Sequence, residues 1–170
     1  VYKRQILGRV KRLEDGSEKY IEILKKNFPK QFNLRGLKIS IDCANGAAYK
    51  LIPQTISELG AEVIPLAITP DGFNINRDVG STSLSALVQT VKKNDVDMGI
   101  AFDGDFDRCF FFDEKGQIVS SQFIIAILSE VMLERHPGSK IVHDPRIIWP
   151  IKDTVHKKGG LAIQSKTGHV

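Results

Sequence analysis

The chain has 170 residues, 42% of them hydrophobic and 26% charged, enough for one medium domain or for a small domain plus part of another. Its net charge of +4 is spread along the sequence with no basic stripe, so charge alone favours nucleic acid no more than a phosphate-bearing small molecule. No apolar run reaches the roughly 18 residues of a membrane span and no signal-peptide pattern opens the chain, so a cytoplasmic protein with no membrane partner is expected.

Glu14 to Phe28 carries apolar residues at Tyr20, Ile21, Leu24 and Phe28, the spacing of an amphipathic helix, with Pro29 just beyond. Leu37 to Cys43 reads as a short strand, followed by an Asn45-Gly46 turn and a helix that Gly60 closes after Leu59. Glu62 to Ala67 is the next strand. Thr69 to Ser81 is a long loop rich in Asp, Asn, Gly and Pro, after which Thr82 or Ser83 is expected to cap a helix reaching Asn94. Asp97 to Phe102 and Arg108 to Phe112 are apolar strands, with a hairpin turn at Glu114-Lys115-Gly116. From Ser121 a helix is expected to turn Phe123, Ile124, Ile127, Leu128 and Val131 toward a core and to stop before Pro137. Lys140 to Asp144, Ile151 to Lys158 and Leu161 to Gln164 then read as strand, helix and strand. Cys43 and Cys109 sit singly in apolar runs without Cys-x-x-Cys spacing, which predicts buried free thiols and argues against disulfide or zinc chemistry.

A faint repeat runs through this pattern. Lys38-Ile39-x-x-Asp42, a helix, Gly60 and a strand are matched by Lys140-Ile141-x-x-Asp144, a helix, Gly159-Gly160 and a strand. Alternating strands and helices predict an α/β fold with a mostly parallel sheet and helices on both faces. The repeat sets one complete unit over residues 1–116 and the start of a second, related one over 117–170, with the boundary near Gly116 to Ser121. Val1 to Gln5 fits nothing downstream and stays outside the fold argument.

Phe102-Asp103-Gly104-Asp105-Phe106-Asp107-Arg108 is the stretch that carries chemistry. Two like charges about 4 Å apart repel by roughly 4 kcal/mol at an effective dielectric of about 20, so three alternating carboxylates in one turn call for a cation or protons. A hard divalent ion is the natural partner, and a strand's carboxyl end is where open α/β sheets gather ligands. A calcium EF-hand fails, because Arg108 stands where glycine is needed and the flanks are strands. A dehalogenase-like phosphatase also starts from a strand and Asp-x-Asp, with Asp103 as nucleophile and Asp105 as acid, but Asp107 is foreign to that pattern. A non-catalytic metal-binding module is the remaining rival.

The loop resembles the metal-binding loop of the α-D-phosphohexomutases, usually Asp-Gly-Asp-Gly-Asp-Arg. The likeness covers nearly the whole chain. Ile41 to Tyr49, Pro70 to Asn76 and Gly80-Ser81-Thr82 are similar to the second domain of phosphoglucosamine mutases. Asp144-Pro145-Arg146-Ile147-Ile148-Trp149 and Ser165-Lys166-Thr167-Gly168-His169 are similar to the third domain of bacterial phosphomannomutases, as is Phe106. The resemblance implies three-layer α/β/α domains, the second complete and the third only begun. It also implies phosphoryl transfer between the 1 and 6 positions of a hexose through a phosphoserine and a hexose bisphosphate intermediate, with Mg²⁺ as cofactor. Mannose and glucose phosphates lead among the implied substrates, with glucosamine phosphate as the alternative and no role for nucleic acid.

By the same resemblance Asp103, Asp105 and Asp107 hold the metal and Arg108 meets the phosphate in transfer. Arg146 is a basic contact to the phosphosugar. Lys166 and His169 belong to a loop that approaches it, His169 being suited to move a proton because an imidazole titrates near neutrality. The family's nucleophilic serine in a Ser-His-Asn-Pro type loop has no counterpart here, since Ser81, Ser83 and Ser85 lack the neighbouring histidine. The chain also opens at Val1 without methionine and ends inside a loop, so a piece of a longer protein is expected, inactive alone and binding magnesium weakly. Missing domains 1 and 4 and the rest of domain 3 are then its partners. Phe106 is expected to be strained if the loop needs positive φ there, its ring packing on Phe102 or the next strand. Pro150, where related mutases often carry asparagine, is tolerable at a helix start.

Overall fold

The computed structural model describes residues 9, 11–146 and 148–167. It is a mixed α/β structure: α1 (Gly16–Asn27), β1 (Lys38–Asp42), α2 (Leu51–Glu58), β2 (Glu62–Leu66), α3 (Ser85–Asn94), β3 (Met98–Phe102), β4 (Cys109–Phe112), α4 (Ser121–Arg135), β5 (Lys140–His143), α5 (Trp149–Lys157) and β6 (Leu161–Gln164). Four strands form one sheet in the order β2-β1-β3-β4, parallel except for β4, which returns antiparallel along β3. β5 and β6 make a separate parallel pair. Among the described residues no helix is long and apolar enough to cross a membrane.

Strand alternation sorts the side chains onto two faces. Ile39, Ile41, Ile100 and Phe102 pack with Ile52 of α2 and Leu24 of α1 in one core, while Ala101 and Phe112 pack with Leu87 and Val91 of α3 in the other. The sheet therefore lies between α1 and α2 on one side and α3 on the other, three layers as expected. Gly99 lets α3 close on the sheet: a Cβ there would stand 3.0 Å from Val91 and 3.2 Å from Phe112.

The repeat is physical as well as textual. Asp42 accepts the N–H two residues on, at Ala44 (2.9 Å), and Asp144 does the same for Arg146 (2.8 Å). Gly60 donates to the Ser57 carbonyl and Gly159 to that of His156, and each following strand starts by bonding back toward its partner strand's entry, Glu62 to Leu37 and Leu161 to Ser139.

Three expectations are corrected. Neither Thr82 nor Ser83 caps α3: Leu84 precedes it with no side-chain cap, because Gly80 to Thr82 form a 3₁₀ turn whose carbonyl at Gly80 takes the Ser83 N–H. Cys109 is exposed, since it opens the edge strand β4, whereas Cys43 is fully buried and its thiol is pushed up to about 12 by burial and by Asp42. In α4 the buried residues are Ala126, Ser129 and Leu133, while Phe123, Ile127, Leu128, Val131 and Met132 face outward. That helix is apolar on nearly every side, so its periodicity names no face; α5 chooses one, through Leu133 against Ile151 and Val155. Trp149-Pro150 opens α5 with proline in the first turn, where its missing N–H costs nothing.

The α4 orientation makes a measurable contrast. Leu133→Ala is expected to lower the unfolding free energy by about 2–5 kcal/mol, and Phe123→Ala by less than about 0.5 kcal/mol. Urea unfolding followed by circular dichroism measures both, and equal costs would show that the outward residues are buried in solution.

Candidate metal centre

Parallel pairing brings the carboxyl ends of β1, β2 and β3 to one edge of the sheet, and the acidic loop leaves β3 at that edge. Phe102 ends the strand inside the core. Asp103 follows it fully buried, whereas Asp105 and Asp107 are exposed. One carboxylate oxygen from each of the three lies within 4.8 Å of the others. Ligands on opposite sides of a magnesium ion stand about 4.2 Å apart, comparable to this separation. The donor set is all hard oxygen, which fits Mg²⁺ or a similar ion and fits no soft metal.

Asp103 is held by the residues that follow it. Its Oδ1 accepts the N–H groups of Asp107 and Arg108, both at 3.1 Å, and its Oδ2 accepts Arg108 Nε at 2.5 Å. The same guanidinium nitrogen lies 3.3 Å from Asp107 Oδ1, so Arg108 is the positive charge nearest the trio. Burial alone would raise the Asp103 carboxyl, but these hydrogen bonds and the guanidinium outweigh it and hold the group at about 2. Asp107 moves the other way: its hydrogen bond with Asp103, then burial and the charges of Asp103 and Asp105, push it up.

Phe106 has φ of 67°, the left-handed region anticipated for it, and its ring meets Phe102 edge to face with centroids 4.8 Å apart. A phenylalanine in that region carries strain, and the aromatic contact offsets part of it.

Arg146 is exposed and its guanidinium grips Asp144 through two 2.9 Å bonds, Nε to Oδ1 and Nη2 to Oδ2. Lys166 is exposed after β6. Among the described residues no hydrogen bond or ion pair joins Arg146 or Lys166 to residues 103–108, and His169 lies outside the described residues. Sequence reasoning missed the support beneath the loop, where the Ala47 N–H donates to the Gly104 carbonyl at 2.8 Å. The Asp42 to Gly46 turn motif was the available signal.

Because Asp103 is held below its ordinary value of 3.8, its stabilising effect is whole above that value and is lost as the pH falls toward 2. Asp103→Asn turns an amide toward N–H donors and is expected to cost about 2 kcal/mol while removing that acid-sensitive component. Asp105→Asn is expected to change stability by less than about 0.5 kcal/mol. Thermal unfolding between neutral pH and pH about 3 distinguishes them.

Residues 18–116 match the model of phosphoglucomutase/phosphomannomutase, alpha/beta/alpha domain II. The chain is 52% identical over 123 residues to a phosphoglucosamine mutase of Methylobacterium radiotolerans and 53% identical over 123 residues to one of Caulobacter vibrioides, covering 72% of this chain and 28% of each relative. It thus spans a little over a quarter of the length of these curated relatives. A crystal structure of a phosphoglucomutase/phosphomannomutase family protein from Burkholderia thailandensis superposes with a TM-score of 0.79 at 30% identity, over 90% of this chain and 33% of that one. With a matching sheet, a matching domain model and an acidic loop at the sheet's carboxyl edge, the chain belongs to the phosphoglucomutase/phosphomannomutase family.

Proposed function

We propose that this chain is the metal-binding part of a phosphohexomutase that moves a phosphoryl group between the 1 and 6 positions of a hexose phosphate. The observation that carries the reading is the trio Asp103, Asp105 and Asp107 with Arg108 at the end of β3, inside the segment that matches the family's domain II. Asp103, Asp105 and Asp107 hold Mg²⁺. When bound, the ion supplies positive charge against phosphoryl oxygens. Arg108 offers a guanidinium fork to the phosphate from beside the carboxylates. Arg146 and Lys166 contribute cations toward the phosphosugar, His169 offers an imidazole to move a proton there, and the nucleophilic serine and further domains come from other parts of a longer protein. Residues 1–116 act as the second domain and 117–170 as the opening of the third.

Glucosamine phosphate is the favoured sugar, because the relatives at 52–53% identity are named phosphoglucosamine mutases. Mannose and glucose phosphates are the second reading, supported by Phe106 and the Asp144 to Trp149 pattern.

The 170-residue chain is expected to bind Mn²⁺ with a Kd on the order of 10⁻⁴–10⁻³ M, as suits a site with few protein ligands, and to hydrolyse no phosphate ester. Asp105→Asn should abolish the calorimetric signal. Phosphatase turnover lost in Asp103→Asn would establish the dehalogenase-like chemistry instead. In the whole protein, expressed from the full reading frame, Asp105→Asn is expected to lower kcat by roughly 10²-fold or more. The same protein should prefer glucosamine phosphate over mannose phosphate by roughly tenfold or more in kcat/KM, and the reverse preference would select the second reading.

A further inference from the structure

Seven non-glycine residues among those described have positive φ: Ala44, Asn45, Ala67, Asn76, Asp78, Asp95 and Phe106. Asp95 ends α3. The other six lie in the connections that leave β1, β2 and β3 at the edge carrying the acidic loop. Left-handed backbone is costly for alanine and survives only where its surroundings hold it, and here they do.

The turn after β1 is the centre of this arrangement. Gly46 donates to the Cys43 carbonyl at 2.8 Å, closing a turn whose central residues, Ala44 and Asn45, have φ of 54° and 50°. Asp42, fully buried, accepts the Ala44 N–H at 2.9 Å with Oδ1 and the Gly80 N–H at 2.8 Å with Oδ2. The Asn45 N–H reaches the Ala67 carbonyl at 2.8 Å and its Oδ1 takes the Thr69 N–H at 3.1 Å, while Asn76 donates to the Ala44 carbonyl at 2.9 Å. One strained turn thereby fastens the long connection that follows β2.

It also touches the acidic loop, at Gly104. The Gly104 carbonyl accepts the Ala47 N–H at 2.8 Å, and a Cβ on Gly46 would overlap that carbonyl outright. On its far side Gly104 is closed in as well: a Cβ there would stand 2.9 Å from Asn76 Nδ2 and closer still to Ile75. A peptide unit is planar, so a fixed Gly104 carbonyl fixes the Asp105 nitrogen and Cα, the point from which the Asp105 side chain departs. Asp103 has its own bonds to residues 107 and 108, but among the described residues the Asp105 side chain makes no hydrogen bond or ion pair. Its backbone anchor is what the surrounding protein fixes.

We propose that Asp42, Gly46 and the Ala47 N–H form a positioning device that aims Asp105 at the cation. This rests on the reading of Asp103, Asp105 and Asp107 as the metal site. Asp42 secures the turn, Gly46 leaves room for the Gly104 carbonyl, and Ala47 holds it. Outer-shell groups that orient a metal ligand commonly change metal affinity by about 10- to 100-fold when altered. Coupling of this kind is reciprocal, so the cation must in turn tighten the Ala47 bond.

Two measurements on the 170-residue chain test this. In the unsubstituted chain, amide hydrogen exchange with and without saturating Mg²⁺ is expected to show at least roughly fivefold slower exchange at Ala47 with the ion; unchanged exchange at Ala47 overturns the proposal. Gly46→Ala, folded by circular dichroism, is expected to weaken Mn²⁺ binding by calorimetry at least roughly tenfold, with Asp42→Asn weakening it in the same direction. Binding that is abolished by Asp105→Asn yet unaltered by Gly46→Ala leaves the metal reading standing and removes the positioning role. Absence of Mn²⁺ binding in the unsubstituted chain removes both.

Discussion

The acidic loop depends on β1 lying parallel between β2 and β3. In an antiparallel arrangement alternate strand ends would point opposite ways, and the connections leaving β1, β2 and β3 would not share an edge. Parallel pairing forces them together, and the resulting crowding appears as backbone at positive φ, glycines whose Cβ atoms would overlap neighbouring backbone, and a buried carboxylate at Asp42 serving two peptide N–H groups. Strain of this sort is tolerated where packing overdetermines it, which is the condition the β1 turn meets.

Charge is the second constraint. Asp103 is buried at the end of a core strand, which would disfavour its ionised form, yet two N–H groups and the Arg108 guanidinium hold it ionised. Asp107, close to the same guanidinium but also facing two other carboxylates, is shifted upward. The loop thus contains one carboxylate held firmly by protein bonds and two that project into solvent, where their oxygens are open to a cation.

Repetition of one strand-helix-strand unit allows the two halves to be compared directly. Asp42 and Asp144 both accept the N–H two residues on, but their second oxygens have different uses. Asp42 Oδ2 binds the backbone at Gly80, while Asp144 Oδ2 binds the side chain of Arg146. The same turn therefore serves as a buried fastener in the first unit and as a half-buried holder of an exposed cationic side chain in the second.

Local pattern was enough to read the strands, most helices, the turn at Asn45-Gly46 and the three loop carboxylates, because these depend on alternation, turn residues and spacing within a few positions. The positive φ at Phe106 was legible too, since glycine is usual at its place in the resembling loops. The buried face of α4 was not legible: a helix apolar on nearly all sides offers no periodic contrast, and only packing against Ile151 and Val155 selects Leu133 over Phe123. The α3 cap and the exposure of Cys109 likewise depended on partners distant in sequence, Asp42 for the Gly80 N–H and the sheet edge for β4. By itself the sequence determined which groups carry charge at the end of β3. The tertiary structure decided where Asp105 is held, because the hydrogen bond from Ala47 to Gly104 joins segments that meet only when β1 and β3 pair.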